Sequence, residues 1–131
     1  MGKPYFVALL IPILLSPFTS TCSDDTGGSR RACCPSDIQI YQWPSGYTGL
    51  HEPEFTVVIV NEAWLVDGVF DVQISCGEFA STKLINPMIF RRIGFGKCLL
   101  KDGKKISPGE VISFQYSNVL PYTFSVVEVK C

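Results

Sequence analysis

The chain reads as an all-β protein, a disulfide-stabilised β-sandwich of roughly six to eight short antiparallel strands. Three observations predict this. Several runs alternate apolar and polar residues with period two, which is the strand signal. Turn residues separate those runs at short intervals: Pro44-Ser45-Gly46, Asp67-Gly68, Asp102-Gly103 and Pro108-Gly109. Six cysteines in 131 residues supply material for cross-links. No long segment carries a helical period.

The elements follow in order. Lys3 is the first charge, and Asp24 is the next. Between them Tyr5 to Leu15 is an apolar run ending in small polar residues, the pattern of a secretory signal peptide over residues 1–22. The run is too short to span a bilayer, which needs about twenty apolar residues. Residues 23–33 are mostly small and polar and read as a flexible leader, with Arg30-Arg31 as a possible dibasic processing site. The β-domain is expected over residues 34–131.

Within it, Ile38 and Ile40 share one face of a short strand. A Pro/Gly loop holding Trp43 and Tyr47 should follow. Phe55, Val57 and Ile59 alternate with Thr56, Val58 and Val60. Phe70, Val72, Ile74 and Cys76 alternate with Asp71, Gln73 and Ser75, the clearest strand in the chain. Lys83 to Ile85 is a further strand candidate. Asn86 to Arg92 suits a short helical turn with Pro87 at its first position. Cys98 to Leu100, then Val111 to Tyr116, complete the middle. The last run sets Val127, Val129 and Cys131 on one face.

A secreted chain meets an oxidising compartment, so disulfides are the first expectation for the cysteines. The paired ligand spacing of zinc modules is missing, and no metal or other cofactor is expected. Cleavage near Cys22 leaves either five or six cysteines.

Composition also bounds function. The net charge of -1 and the 47% hydrophobic content argue against a nucleic-acid binder and against disorder. Charge is nevertheless segregated. Residues 83–105 hold seven basic side chains and one acid, while residues 24–78 hold nine acids and two arginines. His51 is the sole histidine, and no nucleophile or metalloprotease motif accompanies it, so no enzyme activity is expected. Gly94-Phe95-Gly96 lacks the helix pattern that a phosphate-binding loop requires.

The runs Ser75-Cys76-Gly77-Glu78-Phe79, Asn86-Pro87-Met88-Ile89-Phe90-Arg91-Arg92 and Ser113-Phe114-Gln115-Tyr116-Ser117-Asn118, in that order, closely resemble the plant tapetum determinant proteins. Cys34-Pro35-Ser36-Asp37-Ile38, Asp102-Gly103, Pro108-Gly109 and the terminal S-V-V-E-V-K-C fit the same pattern, so the resemblance covers Cys34 to Cys131. It implies a secreted signalling protein of the apoplast with no membrane span. Such a protein would be a ligand for the ectodomain of a leucine-rich-repeat receptor-like kinase in anther and tapetum cell-fate specification.

Where that family carries a C-x-x-x-C pair, this chain has Ala63 and Asp67. The joint loss implies that Cys34, Cys76, Cys98 and Cys131 form two bonds among themselves, in any of three connectivities. Cys33 is then left over, to remain free, to pair with Cys22, or to link two chains as a homodimer.

Arginine and aromatic residues favour binding surfaces. Arg91 and Arg92 are therefore receptor-binding candidates, with Phe90, Asn86 and Lys83 beside them. The alternative is a secreted cell-wall polysaccharide-binding module, which would stack sugars on Trp43 and Tyr47.

Overall fold

The structure is a computed structural model, and it describes residues 33–131. The expected signal peptide, the Arg30-Arg31 site and leader residues 23–32 lie outside the described residues. The described residues belong to one unit, Arg31–Cys131.

Seven strands form two antiparallel sheets. They are β1 (Ile38–Tyr47), β2 (Pro53–Asn61), β3 (Phe70–Gly77), β4 (Phe90–Gly94), β5 (Gly96–Leu100), β6 (Val111–Ser117) and β7 (Ser125–Lys130). One sheet has the order β1-β2-β6 and the other β4-β5-β3-β7. Short 3-10 turns occupy Pro35–Asp37 and Lys101–Gly103. In the first, the Asp37 carboxylate accepts the Cys34 N–H at 2.8 Å.

Alternation builds the interior as expected for β2, β3 and β6. Phe55, Val57 and Ile59 are buried, as are Val72, Ile74 and Cys76, and Ile112, Phe114 and Tyr116. They meet between the sheets, where the Phe90 ring of β4 stacks on Phe114 of β6 at 4.3 Å. Phe79, just past β3, contacts Phe90, Tyr116, Tyr122 and Phe124 at 5.1–5.8 Å. Such aromatic pairs add about 0.5–1.5 kcal/mol each beyond area burial.

Buried polar groups in this core are satisfied, as burial demands. Tyr116 Oη donates to Gln42 Oε1 at 2.6 Å and accepts the Tyr122 N–H at 2.9 Å. Asn61 Nδ2 donates to the Ile106 carbonyl, and its Oδ1 accepts the Ala63 N–H, both at 2.9 Å. Ser117 Oγ accepts the Lys83 N–H at 2.8 Å.

Five local expectations need correction, each for a physical reason. Pro44-Ser45-Gly46 is no loop; β1 continues through it with a register shift. Proline fits there because β1 is an edge strand, where a missing N–H costs no ladder bond. Phe70 is 40% exposed although Val72 is buried. Asp71 is left-handed at φ 49°, the ladder shifts between Phe70 and Gln73, and Val69 takes the inward place.

Val127 is 50% exposed because β7 also slips against β3, between Gln73 and Ile74. Lys83 to Ile85 is not a strand. Its backbone is tied instead to Ser117 and to the Ser81 hydroxyl. Asn86 does open a turn, in which its carbonyl accepts the N–H groups of Ile89 and Phe90. The turn ends there, and Phe90, Arg91 and Arg92 begin β4.

The cysteines are not closed among the expected four. Cys76 bonds Cys98, joining β3 to β5, but Cys131 bonds Cys33. Cys34 is also disulfide-bonded. Neighbours in extended backbone point opposite ways. Cys34 is extended (φ -134°, ψ 151°), and it is Cys33 that joins the core cluster beside the last strand. Cys33 is therefore a member of the domain, not of a leader. Its thiol is used within the chain, which removes the basis for a homodimer linked through it.

Candidate interaction surface

The strand pattern decides what each candidate side chain can do. Phe90 is 2% exposed and packs on Phe114, so it is a core residue and no contact for a partner. Asn86 is spent on its turn, where Oδ1 accepts the Met88 N–H at 2.9 Å. Lys83 Nζ bridges Glu54 Oε1 at 2.9 Å and Gln115 Oε1 at 2.8 Å. Arg91 pairs with Asp102 at 2.9 Å, tying β4 to the 3-10 turn after β5.

Arg92 remains. Its Nε donates only to the Gly94 carbonyl, at 3.3 Å. As successive strand residues, Arg91 and Arg92 project from opposite faces of β4. They do not act as one dibasic patch.

The folded protein partly mixes the segregated charges. Lys83 reaches an acid of the first half, Lys101 pairs with Glu110 at 2.6 Å, and Lys130 lies 3.6 Å from Asp71. The Lys101 hydrogen bond holds the Glu110 carboxyl below its ordinary range; partial burial opposes this, and the Ser107 N–H assists it. Arg92, Lys97, Lys104 and Lys105 have no ion pair among the described residues.

Two of these unpaired cations flank Gly94-Phe95-Gly96, the segment that lacks the pattern of a phosphate-binding loop. β4 and β5 form a hairpin in which Gly94 faces Lys97, with Phe95 and Gly96 at the turn. Gly96 takes φ +69°, a conformation that favours glycine. Phe95 is 88% exposed and Ile93 is 40% exposed. The hairpin is anchored just behind its tip, since Cys98 follows Lys97 and bonds Cys76 of β3. The available signal was Gly-Phe-Gly among basic residues, an aromatic at a turn with nothing to pack on.

Trp43 and Tyr47 do not form one platform. Trp43 faces Thr56 and Tyr47 faces Pro53, and cross-strand partners share a face. Thr56 and Pro53 are three residues apart, so the two aromatics lie on opposite faces. Tyr41, two residues before Trp43, shares its face; both are about half exposed. A cleft of about 350 Å³ lies between Thr48, Leu50, Glu54, Thr82, Lys83 and Ser117. Among the described residues no group of three or more His, Cys, Asp or Glu side chains is placed to hold a metal, and no helix is long and apolar enough to cross a membrane.

Among the described residues, the Cys33–Cys131 and Cys76–Cys98 disulfides, seven strands in two sheets and an exposed hairpin define a small cross-linked β-domain. The sequence profile described as "Tapetum determinant 1, C-terminal" matches residues 34–131. The chain is 36% identical over 124 residues to TPD1 protein homolog 1 of Arabidopsis thaliana, covering 95% of this chain and 68% of that protein. It is 41% identical over 100 residues to TPD1 protein homolog 1B of Oryza sativa subsp. japonica, covering 76% and 59%. With homolog 1A of the same plant it is 36% identical over 101 residues, covering 72% and 45%. No solved structure matches.

The chain belongs to the tapetum determinant family. That membership supports a role in plant developmental signalling.

The family runs now have structural meanings. In Asn86 to Arg92, Asn86 closes the turn, Phe90 enters the core and Arg91 binds Asp102. In Ser113 to Asn118, Tyr116 ties the two edges of one sheet through Gln42 and holds the segment after β6 through Tyr122.

Proposed function

We propose that the protein is a secreted ligand of a leucine-rich-repeat receptor-like kinase, acting in the apoplast in cell-fate specification of the anther and tapetum type. The observation that carries this reading is family membership across the whole β-domain, residues 34–131. Support comes from the disulfides, which suit an oxidising compartment. The expected signal peptide at residues 1–22 would direct export. The test is capture of the secreted, disulfide-intact protein on a panel of immobilised receptor-kinase ectodomains from anther tissue. Saturable binding to an ectodomain supports the proposal; binding to none overturns it.

One observation favours a second reading, a wall-polysaccharide module. Tyr41 and Trp43 line the outer face of β1 beside Thr56 and Gln115, an arrangement on which a sugar ring can stack. Affinity electrophoresis in soluble glucan, xylan and pectin separates the two readings. Retardation lost on Trp43→Ala favours the module; unretarded migration excludes it.

A further inference from the structure

We propose that the tip of the β4–β5 hairpin is the energetic anchor for the partner. Phe95 would enter an apolar pocket of that partner, and Arg92 and Lys97 would meet carboxylates around its rim. This rests on the receptor-ligand reading and names the surface that serves it.

Three features of the tip carry the inference. Phe95 stands 88% exposed and makes no ring contact among the described residues, so most of its ring faces solvent. Ile93 extends the apolar surface. Arg92 and Lys97 flank it with charges that no described acid neutralises, unlike Arg91, which Asp102 holds. No acid lies between Phe90 and Leu100, so the complementary surface is acidic. An aromatic with adjacent arginine is the composition of an interface hot spot.

Rigidity adds to this. The tip is two residues long, and the Cys76–Cys98 bond fastens its base to β3. A pre-ordered anchor loses little conformational entropy on binding. A folded protein pocket uses that fixed geometry, whereas a fluid lipid interface does not need it.

The experiment measures affinity for the ectodomain that captures the wild-type protein in the panel described above. Phe95→Ala should weaken binding roughly 30-fold or more, the level of a hot spot. The double variant Arg92→Glu/Lys97→Glu should slow association, with the loss shrinking as salt rises. Lys104→Glu, an exposed lysine outside the hairpin, should leave affinity unchanged. Thermal melting confirms that each variant is folded, which the exposure of these side chains permits.

Wild-type affinity in both hairpin variants overturns the proposal while leaving the receptor reading standing. Failure of the wild-type protein to bind any ectodomain overturns both. Vesicles of phosphatidylcholine with phosphatidylserine provide the remaining arm. Phe95-dependent vesicle binding with unchanged ectodomain affinity would overturn the proposal in favour of a lipid surface.

Discussion

The Tyr116 hydroxyl donates to Gln42 Oε1 at 2.6 Å, and the same Gln42 side chain donates through Nε2 to the Tyr122 carbonyl at 2.5 Å. Gln42 sits on β1 and Tyr116 on β6, the two edges of one sheet, while Tyr122 lies on the segment crossing to the other. The hydroxyl closes the set by accepting the Tyr122 N–H. Tyr116→Phe keeps the ring and removes the hydroxyl, leaving the part-buried Gln42 Oε1 and Tyr122 N–H without that partner. The expected destabilisation is about 1–3 kcal/mol in urea unfolding. An unchanged midpoint would show that the bonds are not needed.

Burial raises the pKa of Tyr116, and the Tyr122 N–H opposes this in part. The neutral phenol is therefore the form the fold holds. Below the ordinary tyrosine value of 10.0 both states are protonated, and the contribution is complete. As pH climbs past that value the unfolded chain ionises first, so stability falls toward the raised folded value. Unfolding curves measured across the alkaline range should show this loss. Tyr116→Phe should flatten it.

At the acid end Glu110 acts in the opposite direction. Its hydrogen bond from Lys101 lowers its pKa, so the contribution is present above the ordinary carboxyl value of 4.5 and is lost as pH falls through the lower folded value. Both side chains are about a third exposed, so solvent screening limits the pair to about 1 kcal/mol or less. Glu110→Gln should make the acid limb of the stability curve shallower and leave the alkaline limb unchanged.

The Cys33–Cys131 and Cys76–Cys98 disulfides should differ in weight. Chain-entropy arguments assign about 3 kcal/mol to a bond closing 22 residues and about 5 kcal/mol to one closing 98. The double variant Cys33→Ala/Cys131→Ala should accordingly cost more than Cys76→Ala/Cys98→Ala, and hydrogen exchange should rise first along β7. Cys34→Ala should leave the Cys33–Cys131 bond intact in non-reducing peptide maps. Recovery of a Cys34–Cys131 peptide from the wild-type protein would contradict the connectivity.

Two phenylalanines five residues apart should respond oppositely to truncation. Phe90→Ala empties a stacked site in the core and should cost about 3–5 kcal/mol. Phe95→Ala removes a ring that is 88% exposed and makes no ring contact among the described residues, and should shift the melting midpoint little. Equal destabilisation by both would place Phe95 in the core and remove its role as an anchor.

The same pair shows what sequence can reveal here. Period-two alternation was sufficient for β2, β6 and most of β3, where Phe55 to Ile59 and Ile112 to Tyr116 are regular and half-buried. It failed where a bulge breaks the period, as at Asp71, which turns Phe70 outward, and at Val127. It also failed on the edges. β4 reads Phe-Arg-Arg-Ile-Gly because an edge strand near its tip has solvent on several sides, so no alternation marks it. Adjacency of Cys33 and Cys34 hid the pairing, since only backbone geometry decides which sulfur faces Cys131. At the surface, Arg91 and Lys83 looked available because their partners, Asp102 and Glu54, are supplied by the fold.

The most direct measurement of the central claim is hydrogen exchange on the secreted protein, alone and bound to a captured receptor ectodomain. Protection centred on the β4–β5 hairpin, residues 90–100, and weak along β1, is the expected result. Protection along Tyr41 to Trp43 with an unprotected hairpin, or no protection anywhere, would contradict it.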